Sequence, residues 1–288
     1  MKTKLNSLSS NHLESVLAGC KTYRKPKQKS PVTIIIGIKC VNGMVVACDS
    51  RTTDTMGHIN DDAEKLHVVK FKDGNLAIVG EAGNSVMSSI AVEQILSLAK
   101  ERSMNDYRAV ALCAEEAVAK VKQKVRTQFQ GTAEELQKHF EAYAFELMLA
   151  HYYETEPYIF TLDSCLGLAA KKDKLYSSIG CGWQLADFII ARLDLSEFGT
   201  GHGMWTAVYA VEEIKKCDSR CGGKTRAAII ATDNAGKSYA EVCKADAAMQ
   251  EAIDEALSFS EASKAQWRKT ADARIHDLIA KRKSLKSP

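Results

Sequence analysis

Three side chains suited to acid–base or nucleophilic work stand at equal separations early in the chain: Thr33, Asp49 and Lys65, each 16 residues from the next. A threonine hydroxyl is a weak nucleophile unless a base lies beside it. One solution uses the α-amino group of the same residue, whose free-chain pKa is about 8. A nearby lysine lowers that pKa by like-charge repulsion and assists proton transfer, and an aspartate holds the lysine charged and oriented. By spacing alone, three polar residues at strand ends read equally as a solvated sheet edge. The catalytic reading also needs a free amine, and Thr33 follows 32 other residues.

The elements that must position these residues can be read around them. "VTIIIGIKC" and "MVVACDS" are β-branched runs flanking Asn42-Gly43, a strong hairpin signal. A tight hairpin folds the chain back, so Thr33 and the segment 49–53 share one sheet edge. Lys65, opening the third strand, reaches the same edge. "KLHVVKFKDGNLAIVGEAG" repeats the device around Asp73-Gly74. Helical periodicity covers 84–102 and 107–129. The latter continues into "TAEELQKHFEAYAFELMLAHYY" as one long helix, or as two with a break near Gly131. Strands return at "PYIFTLDS" and "KLYSSIG", helices at 183–193 and 204–217, and a strand at "TRAAIIATD". Paired helices between antiparallel hairpins predict an α+β fold, two antiparallel sheets sandwiched between two helix layers. Residues 1–32 read as a polar leader, 33–244 as the folded domain and 245–288 as a helical extension.

Composition narrows the function further. A net charge of +3, carried mostly by "KTYRKPKQK" (21–29) and "KRKSLK" (281–286), is too small to imply a nucleic-acid partner; the two basic ends read as solvated tails. The nine cysteines are an odd number without a disulfide-scaffold spacing, which points to a reducing, cytoplasmic setting. Cys217 and Cys221 have no second pair at a zinc-site spacing, and the seven histidines are dispersed, so no metal site is expected. No cofactor is expected either, since neither a phosphate loop nor a dinucleotide fingerprint occurs. "LAGC" (17–20) resembles a lipoprotein cleavage box, but the polar "LNSLSSNHLESV" before it is no signal-peptide core. No apolar run is long enough to span a membrane. Trp183, Trp205 and Trp267 read as core or subunit-contact residues.

"TIIIGIKCVNGMVVACDSRTT", followed by Lys65 and "LAIVGEAGN", resembles the opening of proteasome β-type subunits, including HslV-type and Anbu-type relatives, which are N-terminal-nucleophile hydrolases. Further on, "FELMLAHYYETEPYIFTLDS", "YSSIGCGWQLADFII" and "AVYAVEEIKKCDSRCGG" resemble the family's later motifs in order, so the likeness runs over roughly 32–240. The resemblance implies Thr33 as nucleophile with Asp49 and Lys65 as its charge-relay partners, and Gly83 as backbone donor of the oxyanion hole. It implies that Arg51 braces the sheet edge and that Thr53 pairs with substrate backbone as in strand addition. Ala63 would line the substrate cleft, and Asp218 would support the nucleophile from the last helix. Cys181 and Cys221 stand where the family usually has serines bonding near the threonine amine, a departure that places weaker hydrogen-bond partners there. Glu81 occupies the position at the base of the pocket for the residue before the cleaved bond, where a carboxylate favours Lys or Arg. His67 reads either as a pocket residue or as a packed strand histidine.

Two functions follow from the resemblance. One is a threonine peptidase in a self-compartmentalising ring of identical subunits, its leader removed autocatalytically. It would act on peptides or unfolded protein, fed by an ATP-dependent unfoldase where one exists. The other is a leader-capped, catalytically silent subunit. The second is favoured by Val32 and Ile34, where processed relatives carry glycine and a hydroxyl residue. An amidase acting on small molecules fits the chemistry but not the ring-type motifs.

Overall fold

A computed structural model describes residues 33–53, 58–170, 174–193, 195, 199–232 and 238–243, with four isolated positions beyond 250. The expected leader and nearly all of the expected helical extension lie outside the described residues. So does Trp267.

The run of isoleucines after Thr33 forms β1 (Ile34–Cys40), which pairs with β2 (Gly43–Asp49). Every residue of both strands is buried. A strand buried on both faces requires layers above and below it, which is why its sequence is continuously apolar instead of alternating. Ile34, Ile36 and Ile38 face helices α4 (Trp183–Ile190) and α5 (Thr200–Cys217). Ile35, Met44 and Val46 face a second sheet, meeting Leu66, Ile78 and Met148.

The first sheet has the order β10-β1-β2-β11-β12, adding β10 (Tyr176–Gly180), β11 (Thr225–Thr232) and β12 (Ser238–Cys243). The second sheet comprises β5 (Leu66–Lys70), β6 (Leu76–Gly83), β7 (Phe145–Tyr153), β8 (Glu156–Asp163) and β9 (Gly167–Ala170), in that order. All pairings are antiparallel. Helices α1 (Ser85–Glu101) and α2 (Ala109–Gln128) cover the second sheet's outer face, where Ile95 and Val110 meet Val79, Leu149 and Phe160. The result is the helix–sheet–sheet–helix sandwich that the element order predicts. A short ribbon of β3 (Thr52–Thr53) and β4 (Ile59–Asn60) stands outside both sheets.

Several boundaries differ from the sequence reading. The long helical pattern breaks after α2, and α3 (Ala133–Ala142) restarts behind Thr132, whose side chain and that of Glu135 form a reciprocal capping box. Residues 145–153 are strand β7, not a continuation of helix. Their apolar run suits either state by periodicity, and pairing with β6 and β8 decides it. Strands β9 and β12 carry no strong sequence signal. The first hairpin's loop is Val41–Asn42, with Gly43 already paired to Cys40. A Cβ at Gly43 would lie 2.1 Å from the Ile230 carbonyl oxygen, so glycine is required there by the close approach of β11. Helix α5 begins at Thr200 rather than 204, and α4 ends at Ile190 rather than 193. The two early hairpins enter different sheets. Among the described residues no helix is long and apolar enough to cross a membrane.

Candidate active site

Thr33 immediately precedes β1, and Asp49 is the last residue of β2. The antiparallel turn between the strands returns the chain to its starting edge, and the main-chain N–H of Ile34 donates to Asp49 Oδ1 at 3.1 Å. Lys65 comes from the other sheet, one residue before β5. The site therefore forms at the seam where the two sheets meet, and each sheet contributes part of it.

All three residues are buried, at 2%, 0% and 2% exposure respectively. An ammonium group removed from water must place its three donors, and Lys65 does so. Its Nζ donates to Thr33 Oγ1 at 2.5 Å, to Asp49 Oδ1 at 2.9 Å and to the Arg51 carbonyl oxygen at 2.5 Å. Asp49 Oδ2 accepts from the Gly222 main-chain N–H at 2.8 Å. The carboxylate is thus held by two backbone donors besides the lysine, so neither charge is left uncompensated.

The nitrogen side of Thr33 has different partners. Its N–H points to Cys181 Sγ at 3.4 Å, while the Cys181 N–H donates to the Thr33 carbonyl oxygen at 2.7 Å. The Cys181 thiol lies 3.3 Å from Cys221 Sγ. Donation from the Cys221 thiol holds the Cys181 thiol below its ordinary pKa, while Cys221, as donor and buried, is pushed up. Asp218 caps the end of α5 one step farther out. Both its oxygens are engaged by Arg220, whose Nε lies 2.9 Å from Oδ1 and Nη2 2.8 Å from Oδ2, and this pair holds its carboxyl below the usual range. Cys181, Asp218 and Cys221 bring three potential metal-ligating atoms within 4.8 Å of one another.

A cleft of about 300 Å³ opens beside Thr33 Oγ1, lined among others by Thr52, Ala63, Lys65, Glu81, Gly83 and Ser89. Glu81 is nearly buried in its wall. Its carboxylate meets His67 Nε2 at 3.1 Å and accepts from Ser89 Oγ at 3.3 and 3.4 Å. Gly83 ends β6 with φ +101°, and a Cβ there would sit 2.7 Å from the Ala144 carbonyl oxygen. The backbone turns at this point because no side chain is present.

Arg51 forks onto the Asp61 carboxylate at 2.7 and 3.2 Å and reaches the Ser219 carbonyl oxygen at 3.0 Å, tying the end of β2 to the turn after α5. Ser50 bonds the Asp61 carbonyl oxygen and accepts from the Lys224 N–H, pinning the same turn. Thr33, Asp49, Lys65, Cys181 and Cys221 thus converge, with Ala63, Glu81 and Gly83 around the cleft. Thr53 pairs with Ile59 in the outer ribbon, and the residues of that ribbon facing the cleft are the paired Thr52 and Asn60. His67 stands behind Glu81. Sequence reasoning missed Asp61, Ser50 and Ser89, which carry no spacing signal because their partners lie across turns and between layers.

The comparisons with known proteins agree with this architecture. Residues 32–230 match the proteasome subunit family. Among solved structures, an Anbu (ancestral beta-subunit) protein from Yersinia bercovieri superposes with a TM-score of 0.64 at 17% identity, covering 82% of this chain and 97% of that one. An Anbu (Gly-1) mutant from Hyphomicrobium sp. strain MC1 gives 0.62 at 14% identity, covering 83% and 99%. At these identities the likeness speaks for the fold. No protein of curated function matches the sequence significantly. The family match spans most of the chain and includes every residue placed at the candidate site: the chain belongs to the proteasome subunit family.

Proposed function

We propose that this chain is a threonine-type peptidase subunit of a proteasome-like ring, with Thr33 as nucleophile once the leader is removed. The observation that carries the reading is the Lys65 ammonium donating at once to Thr33 Oγ1 and Asp49 in a buried site beside an open cleft. In this mechanism the freed Thr33 amine accepts the hydroxyl proton. Oγ1 attacks the peptide carbonyl, and the oxyanion draws on the Gly83 N–H. The leaving amine takes the proton, and water then hydrolyses the ester, restoring the hydroxyl. Lys65 keeps the local potential positive and Asp49 fixes its position. Glu81 gives the cleft a negative wall, which suits a Lys or Arg side chain before the cleaved bond. Identical subunits would form the ring, and an unfoldase would supply extended substrate.

Intact-mass measurement together with a peptidyl boronate tests this reading. A species beginning at Thr33 that binds the boronate and cleaves fluorogenic peptides supports it. A full-length chain that ignores the boronate supports the second reading, a leader-capped silent subunit. The second reading is favoured by Val32 and Ile34 and by the thiols on the nitrogen side. Arg-terminated peptides cleaved no faster than Leu-terminated ones would remove the role assigned to Glu81.

A further inference from the structure

We propose that Cys181 and Cys221 form an oxidative modification site, a dithiol that a peroxide closes to a disulfide against the Thr33 nitrogen. Their sulfurs are 3.3 Å apart, so bond formation at about 2.05 Å needs an approach of little more than 1 Å, within reach of side-chain rotation. The two thiols divide the roles that such a pair requires. Cys181 is half-buried and its thiol is the more acidic, so it reacts first; Cys221 is buried behind it and resolves the product. Other buried thiols are unsuited: desolvation pushes Cys40 and Cys48 up to about 12, which keeps them protonated.

The reaction balances with peroxide as the only oxidant. The Cys181 thiolate attacks one peroxide oxygen, the O–O bond breaks, and hydroxide leaves and is protonated to water. The Cys221 thiol attacks the resulting sulfenic sulfur. An S–S bond forms and the sulfenic oxygen departs as a second water with the Cys221 proton. Two thiols are oxidised by two electrons and one peroxide is reduced. A metal ion is a poorer occupant of this cluster, because both Asp218 oxygens are already held by Arg220 and the two sulfurs alone make an incomplete site.

The consequence for catalysis rests on the proposed peptidase function. Cys181 Sγ accepts from the Thr33 N–H and its thiol contacts the Thr33 carbonyl oxygen at 3.3 Å. A disulfide removes the thiol proton and turns the sulfur toward Cys221, so the amine loses its partner and its position.

Purified full chain treated with hydrogen peroxide, alkylated without reduction and digested gives the test. The expected product is a Cys181–Cys221 cross-linked peptide, two hydrogens lighter and reversed by dithiothreitol. In Cys221→Ala the cross-link is absent, and dimedone traps a sulfenic acid at Cys181. Peroxide that oxidises the exposed Cys165 and Cys217 while leaving this pair alkylatable overturns the proposal, as does a cross-link from Cys221 to Cys217. These readouts do not depend on peptidase activity, so a silent subunit fails the functional reading without touching them. In an active, Thr33-initiated chain, oxidation is expected to slow peptide hydrolysis about tenfold, recovered on reduction. Unchanged turnover of the fully cross-linked chain overturns the coupling to Thr33.

Discussion

On its hydroxyl side Thr33 meets nitrogen and oxygen: a lysine whose three donors are all placed, and an aspartate held by two backbone N–H groups. On its nitrogen side it meets sulfur, at 3.4 Å from Cys181, with a second thiol behind. The first side brings a buried charge pair whose desolvation is tolerable only because each donor and acceptor has a short, well-directed partner. The second uses long, weak contacts, each worth about 1 kcal/mol or less. Under the proposed function the hydroxyl side would set the capacity for chemistry, and the nitrogen side would set how firmly the freed amine is held.

The largest effect comes from removing the lysine. If the chain is the proposed peptidase, Lys65→Ala is expected to lower peptide hydrolysis by about 10³-fold or more, since it deletes the group that bonds the proposed nucleophile, Thr33. It also leaves the Asp49 carboxylate buried without its cation, a loss of about 3 kcal/mol by chemical denaturation. A Lys65→Ala chain that still turns over peptides would break the assignment of catalysis to this side. Asp49→Asn keeps the shape and removes the charge. The expected loss is smaller, about 10²-fold in kcat, with KM nearly unchanged because Asp49 does not line the cleft. A change confined to KM would move Asp49 out of the chemistry.

How much of this was legible from the sequence follows the same division. The spacing of Thr33, Asp49 and Lys65 and the Asn-Gly signal near β1 and β2 are local, and hairpin geometry converts them into a shared edge. The sandwich was legible because pairs of helices separate strand runs. What the hairpins could not reveal is that they enter different sheets, because facing across an interior depends on packing between Ile35 and residues such as Ile78 and Met148. Strand β7 reads as helix because "FELMLAHYY" is mostly apolar and continues a helical pattern, and only its two neighbours in the sheet decide its state. The Cys181–Cys221 contact spans 40 residues; each cysteine alone looks like an ordinary buried thiol. Asp61 was invisible for the same reason, since its partner Arg51 is reached through the outer ribbon.

The nitrogen side is sharpened by Cys181→Ser. A hydroxyl oxygen is a stronger acceptor than a thiol, and it bonds at shorter range. The variant is expected to hold the amine more firmly and raise kcat two- to fivefold, an effect of about 1 kcal/mol or less. A fall of similar size would mean that the larger sulfur is needed to fill the space beside Cys221, so that packing outweighs the hydrogen bond.

The smallest effect concerns the outer edge of the same side. Arg220 holds the Asp218 carboxyl below its usual range. A group depressed in the folded state contributes stability that is fully present above its unfolded value, about 3.9, and is lost as pH falls through its folded value. The pair is partly exposed, so its contribution is expected to be about 0.5 kcal/mol. Arg220→Gln should lower stability by that amount in urea titrations near neutral pH. The difference from the parent should begin to shrink as pH drops below about 4 and vanish below the depressed folded value, where both chains carry a protonated Asp218. A difference that persists in acid would mean that Arg220 acts through packing against the turn after α5. The thiols would then be screened from solvent by its side chain rather than by the ion pair.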